Sequence, residues 1–212
     1  MGNPIKTLTR EHHVILRVLG SLTVFVNELT NGNEEYRSAA LQYAKFFRFF
    51  ADLHHHGKEE ALLFQELEKQ GLPADTGPIR VMIKEHDLGR KCVRAIASIG
   101  EGKGPLTSEE HARLREAILE FVPLLRNHMQ KEDGLLFPMA ERFLSQEAKN
   151  RLSKDFDEFD KEQEEEVISR KMHNLAESLV NRYTVKRKNT PARGFTCNLL
   201  TLSMKEDSHE GY

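Results

Sequence analysis

Cysteine is nearly absent. Cys92 and Cys197 are the only two in 212 residues, and they stand far apart in the sequence. That excludes a disulfide framework and a metal site built from thiolates, and a reducing cytoplasmic compartment is the simplest expectation. An excess of one charge is lacking too. With 33 acidic residues against 31 basic ones and a net charge of -2, bulk electrostatics give no reason to expect nucleic acid or an anionic membrane as partner. No run of about 18 or more apolar residues is present to cross a bilayer. The opening stretch, MGNPIKTLTREHH, has no apolar signal-peptide core. Lys6 stands where a myristoylation motif starting at Gly2 needs Ser or Thr. A soluble protein is expected.

No strand pattern competes with helix. Turn residues at Asn31-Gly32-Asn33, from Gly71 to Pro78 and from Gly100 to Pro105 divide the first 145 residues into four periodic segments. The first runs from Pro4, capped by Asn3, to about Leu29, with Leu8, Ile15, Leu19, Leu22 and Val26 at helical spacing. The second spans about 34–70 and ends at Gly71. The third covers about 78–99. The fourth follows Thr107, where T-S-E-E reads as a capping box, and continues to about Phe143. Pro123 and a second proline lie inside it and are expected to kink it. Short links between long helices predict an all-α, up-down-up-down four-helix bundle over 1–145. A C-terminal helical extension is expected over 146–183, with Leu152, Phe156, Phe159, Val167, Ile168, Leu175 and Leu179 in one stripe. The tail, 184–212, is expected to be partly disordered, and Lys186, Arg187, Lys188 and Arg193 in it read as solvated charge.

The chemistry lies in a pattern that occurs twice. Glu11-His12 precedes His55-x-x-x-Glu59, and Glu85-His86 precedes His128-x-x-x-Glu132; HHGKEEALLF from His55 aligns with HMQKEDGLLF from His128. Such repetition marks a duplicated supersecondary unit. Residues four apart lie above one another on a helix, so each His-Glu pair presents an imidazole nitrogen and a carboxylate in one direction. A carboxylate can bridge two metals, whereas imidazole makes one terminal bond. Two glutamates and four histidines therefore suit a pair of metals, one histidine or more coming from each helix. His13, His54 and His56 are expected at the surface or behind the ligands, because the repeat aligns His56 with Met129. Glu11 and Glu85 read first as helix-surface charge. A ferritin-type site would use Glu-x-x-His, and no histidine of the four bundle segments has that spacing.

These motifs resemble the hemerythrin-like, or HHE cation-binding, family, over about residues 5–145. The resemblance implies a non-haem di-iron centre, oxo- or hydroxo-bridged, with His12, His55, Glu59, His86, His128 and Glu132 as metal ligands and the glutamates as bridges. In the oxygen carriers of this family the third helix supplies a further histidine, at the position of Met82 here. The chain is more similar to the bacterial type with four histidines and two glutamates. Six-coordinate metals would then keep about one open position each, leaving both irons accessible. The expected function is binding of oxygen, nitric oxide or peroxide as carrier or sensor. The alternative is an enzyme that acts on peroxide or nitric oxide, or supplies iron for iron-sulfur cluster repair. No nucleic acid or membrane partner is expected.

Overall fold

The computed structural model describes residues 2–30, 35–162 and 165–184. Helix α1 (Pro4–Glu28) starts as its sequence dictates: Asn3 accepts a hydrogen bond from the Lys6 N–H at 3.0 Å, and Pro4 occupies the first turn, where no N–H is needed. Helix α2 covers 35–69 without interruption, and Gly71 follows it in the left-handed region, at φ 94°. Helix α3 is Gly77–Gly100. Helix α4 covers 108–143, opened by the reciprocal capping box of Thr107 and Glu110. It runs on through Pro123.

α2 and α4 are not uniform α-helices. In α2 the stretches Phe47–His56 and Glu59–Leu63 are π-helical, and in α4 so is Glu132–Leu136. Glu59–Leu63 and Glu132–Leu136 occupy equivalent positions in the two copies of the repeat, so the wide turn is part of the duplicated unit. A π turn sets successive side chains closer together in angle than an α turn and is frequent at functional sites. This is why His54, His55 and His56, three in succession, are all buried.

The four helices bury two apolar clusters. One contains Ile15, Leu19, Phe47, Phe50, Phe121 and Leu125; the other contains Leu8, Leu63, Phe64, Met82, Leu136 and Phe137. Each such side chain contributes roughly 1.5–3 kcal/mol by leaving water. Along every helix the repeated polar residues fall between the two clusters, as His12 does between Leu8 and Ile15. A thin layer of imidazoles and carboxylates thus crosses an otherwise apolar bundle.

The extension is helical over α5 (Gln146–Glu162) and α6 (Glu165–Arg182), with residues 163–164 between them outside the described residues. Leu152 and Phe156 of α5 join the cluster around Leu8, while Leu179 of α6 joins the one around Phe47. The extension therefore contacts both ends of the core. The side chains of Val167 and Ile168, and the tail from 185 with its basic residues, lie outside the described residues. Among the described residues no helix is long and apolar enough to cross a membrane.

Candidate metal centre

All six residues expected as ligands meet in the polar layer, each 1% exposed or less. Glu59 directs Oε1 toward His55 Nε2 at 3.6 Å and Oε2 toward His86 Nε2 at 3.5 Å. Glu132 directs Oε1 toward His128 Nε2 and Oε2 toward His12 Nε2, both at 3.2 Å. Each glutamate thus spans two halves of the site, one served by His12 and His55 and the other by His86 and His128. Ligand atoms of His12, His55, Glu59 and Glu132 lie within 4.8 Å of one another, and so do those of His56, Glu59, His86 and His128.

The inner faces of four of these groups lack hydrogen-bond partners, while Nε2 of His86 and of His128 meet each other at 3.0 Å. Nε2 of His12 and of His55, and both oxygens of Glu59 and of Glu132, are buried without a hydrogen bond. An unpaired buried carboxylate costs several kcal/mol, and six such atoms converging is an arrangement that cations satisfy. The donor set, imidazole nitrogen with bridging carboxylate, suits a pair of divalent or trivalent first-row metals.

The outer faces are fully paired. Nδ1 of His12 meets Asp133 at 2.9 Å, His55 meets Glu11 at 2.8 Å, His86 meets Glu60 at 2.6 Å and His128 meets Glu85 at 3.1 Å. With the Nδ1–H donating to a carboxylate, each Nε2 is turned inward, where a bound cation in place of a proton would meet a more basic lone pair. These pairings obey the repeat, because Glu11 matches Glu85 and Glu60 matches Asp133. Glu11 and Glu85 are therefore not surface charge: Glu11 is buried, and both orient histidines. Glu60 and Asp133 were missed, although the repeat held a signal for them, an acid directly after each bridging glutamate.

Where no cation is bound, the neighbours decide where protons sit. Burial pushes His55 down to about 3, against the pull of Glu11. Burial, with the charge of His128, does the same to His86, also to about 3. Burial opposes charge on His128 as well, but Glu132 and Glu85 outweigh it and lift this imidazole to about 9. His12 is raised for the same reason, through Asp133 and Glu132. Glu59 is driven well above the usual carboxylate range by burial and by the negative charge of Glu132. Glu132 is held well below that range, in spite of its burial, by His128 and His12. Protons on Glu59, His12 and His128 balance charge that bound cations would otherwise balance.

His56 departs from expectation. It is buried, its ring stacks on His86 with centroids 3.9 Å apart, and it falls within the second ligand group. Met82, by contrast, packs in the apolar cluster around Leu8. His54 is buried too, with Nε2 3.0 Å from Glu11, behind the ligands as expected. Beside His56, His86 and His128 opens a cavity of about 240 Å³, one side of it apolar, with Phe47, Val93 and Phe121, and the rest charged, with Arg48, Asp52, Arg90 and Arg94.

Bundle and site together define a candidate dinuclear metal centre inside four helices, two adjoining His/Glu clusters that share Glu59. The model of the Hemerythrin HHE cation binding domain matches residues 3–105 and again 100–202, and the chain belongs to this family. The two matches meet in the turn between α3 and α4, so each takes in part of one bundle. Neither the curated proteins nor the solved structures compared with the chain give a match.

Proposed function

We propose that the protein holds two iron ions and binds oxygen, nitric oxide or peroxide at them, in the cytoplasm, as a carrier or sensor. The observation that carries this reading is the splitting of Glu59 and Glu132 between two histidine pairs whose Nε2 atoms all face inward. In this proposal His12 and His55 hold one iron, His86 and His128 hold the other, and the two glutamates bridge them. Iron bound there would supply open coordination positions and a reversible change of oxidation state. Family membership and nitrogen-oxygen donors support iron, and the scarcity of cysteine supports a reducing compartment.

The chain's own residues would do the rest. Phe47, Val93 and Phe121 would give a small, weakly polar molecule an apolar path to the His86 and His128 half. His56, at the inner end of that path, would meet it first. The cavity holds more than a diatomic requires, since a water molecule takes about 30 Å³, so peroxide fits as well. The test is stopped-flow binding of nitric oxide to the iron-reconstituted protein and to Val93→Phe. The variant should keep its iron and bind roughly tenfold more slowly; equal rates would remove the cavity from the account.

A further inference from the structure

The two copies of the repeat bury one shared charged residue to different extents. Lys58 and Lys131 are equivalent in sequence, and each pairs with the carboxylate that orients a histidine, Glu11 beside His55 and Glu85 beside His128. Lys131 keeps 43% of its side chain in solvent, whereas Lys58 keeps none. The difference comes from the extension. Asp160 of α5 reaches Lys58 Nζ at 3.1 Å, and the ring of Phe156 lies 5.7 Å from it. Phe159 packs so near Gly57 that a Cβ there would stand 2.9 Å from its Cζ; the other copy has the exposed Gln130 at this position.

We propose that Asp160 is a positioning residue of the metal centre, acting through Lys58 and Glu11 on His55. The inference rests on the di-iron reading given above. Glu11 accepts from Lys58 at 2.5 Å, and its other oxygen meets His55 Nδ1 at 2.8 Å. The more negative charge Glu11 keeps, the better it accepts from His55 and the stronger the donor that Nε2 becomes. Lys58 draws on that charge, and the Asp160 anion offsets Lys58. Lys58 is fully buried and Glu11 nearly so, which leaves salt little access to that pair, whereas Asp160 keeps 40% of its side chain in solvent. Among the described residues, the half around His128 has the lysine but no counterpart of Asp160 on it. The extension thereby makes the two metals inequivalent, and it does so without donating a ligand.

The test compares wild type with Asp160→Asn, and with Asp157→Asn on an exposed position of the same helix as control. Ferrous iron affinity, read by chelator competition, should fall about tenfold for Asp160→Asn, the lower end of what an outer partner of a metal-binding histidine is worth. In the Mössbauer spectrum of the ⁵⁷Fe-loaded protein one doublet of the two should move. His54 also lies between Asp160, at 3.7 Å, and Glu11, at 3.0 Å, so Lys58→Met should remove most of the effect of Asp160→Asn and Lys58→Met with His54→Ala should abolish it. A metal-free readout runs beside these: in ¹⁵N-histidine NMR spectra Asp160→Asn should shift His55 Nδ1 and leave His128 in place. Wild type that binds no iron would sink the di-iron reading, and the NMR comparison would still decide this inference. Asp160→Asn indistinguishable from Asp157→Asn in affinity and in the His55 resonance overturns it. So does a lowered melting temperature with unchanged spectra, which would make Asp160 a packing residue only.

Discussion

Glu59 and Glu132 occupy equivalent positions in the two copies of the repeat, and each places one oxygen toward a histidine of its own helix and the other toward a histidine of another helix. A carboxylate in this role must be anionic and must use both oxygens. Glu59→Gln and Glu132→Gln keep the shape and lose the charge, so each should reduce bound iron from about two per chain to one or less. Iron analysis of the reconstituted variants checks this, and full loading of either would show that it is not a bridge.

His55 and His56 are neighbours with different duties. His55→Ala removes the nitrogen nearest Glu59 Oε1 and should release iron. His56→Ala leaves the four paired histidines and both glutamates in place. It should keep iron near the wild-type level, while widening the path from the cavity and speeding nitric oxide binding. Equal iron losses in the two variants would place the ligand register wrongly.

The outer carboxylates should matter almost as much as the ligands. Glu60→Gln and Asp133→Asn occupy equivalent places behind His86 and His12. Each is expected to weaken metal binding about 10- to 100-fold with little change in helix content. Isothermal titration with a divalent metal reads the loss. The same titration should release protons at neutral pH, because His128, lifted to about 9, carries a proton there that a cation replaces.

Away from the site, one ion pair sets an acid limit on stability. Arg37 is buried and donates to the carbonyls of Ile99, Gly104 and Pro105 and to Glu110, tying α2 to the turn between α3 and α4. Arg37, with the Thr107 backbone and hydroxyl, holds the Glu110 carboxyl down at about 2. A carboxyl depressed on folding stabilises above its unfolded value of about 4.3 and loses that contribution as pH falls toward 2. Glu110→Gln should therefore flatten the fall in melting temperature between those pH values. An unchanged acid limb would mean that other carboxylates control it.

The bundle and the six inner residues were legible because duplication supplied its own check. One His-x-x-x-Glu is a common surface spacing, but two copies in register, each with its upstream Glu-His, fix a direction toward one shared layer. The cap at Asn3, the Thr107 capping box and Gly71 likewise act through local geometry that a sequence displays. What was hidden depends on contacts the sequence does not order. π turns have no residue pattern of their own, and the alignment of His56 with Met129, which is buried as well, gave an inward place but not an imidazole among the ligands. Lys58 reads as an ordinary surface lysine until α5 covers it, and that packing joins residues about 100 apart in the chain.

The central claim is a pair of irons shared by four histidines and two glutamates. Reconstitution with ferrous iron under anaerobic conditions, followed by metal analysis and Mössbauer spectroscopy after oxidation, tests it most directly. The account predicts two irons per chain, magnetically coupled through their bridges, and a melting temperature that rises with loading, because metal that binds only the folded bundle stabilises it by mass action. A single uncoupled iron, or a metal-free protein that melts at the same temperature as the loaded one, would contradict it.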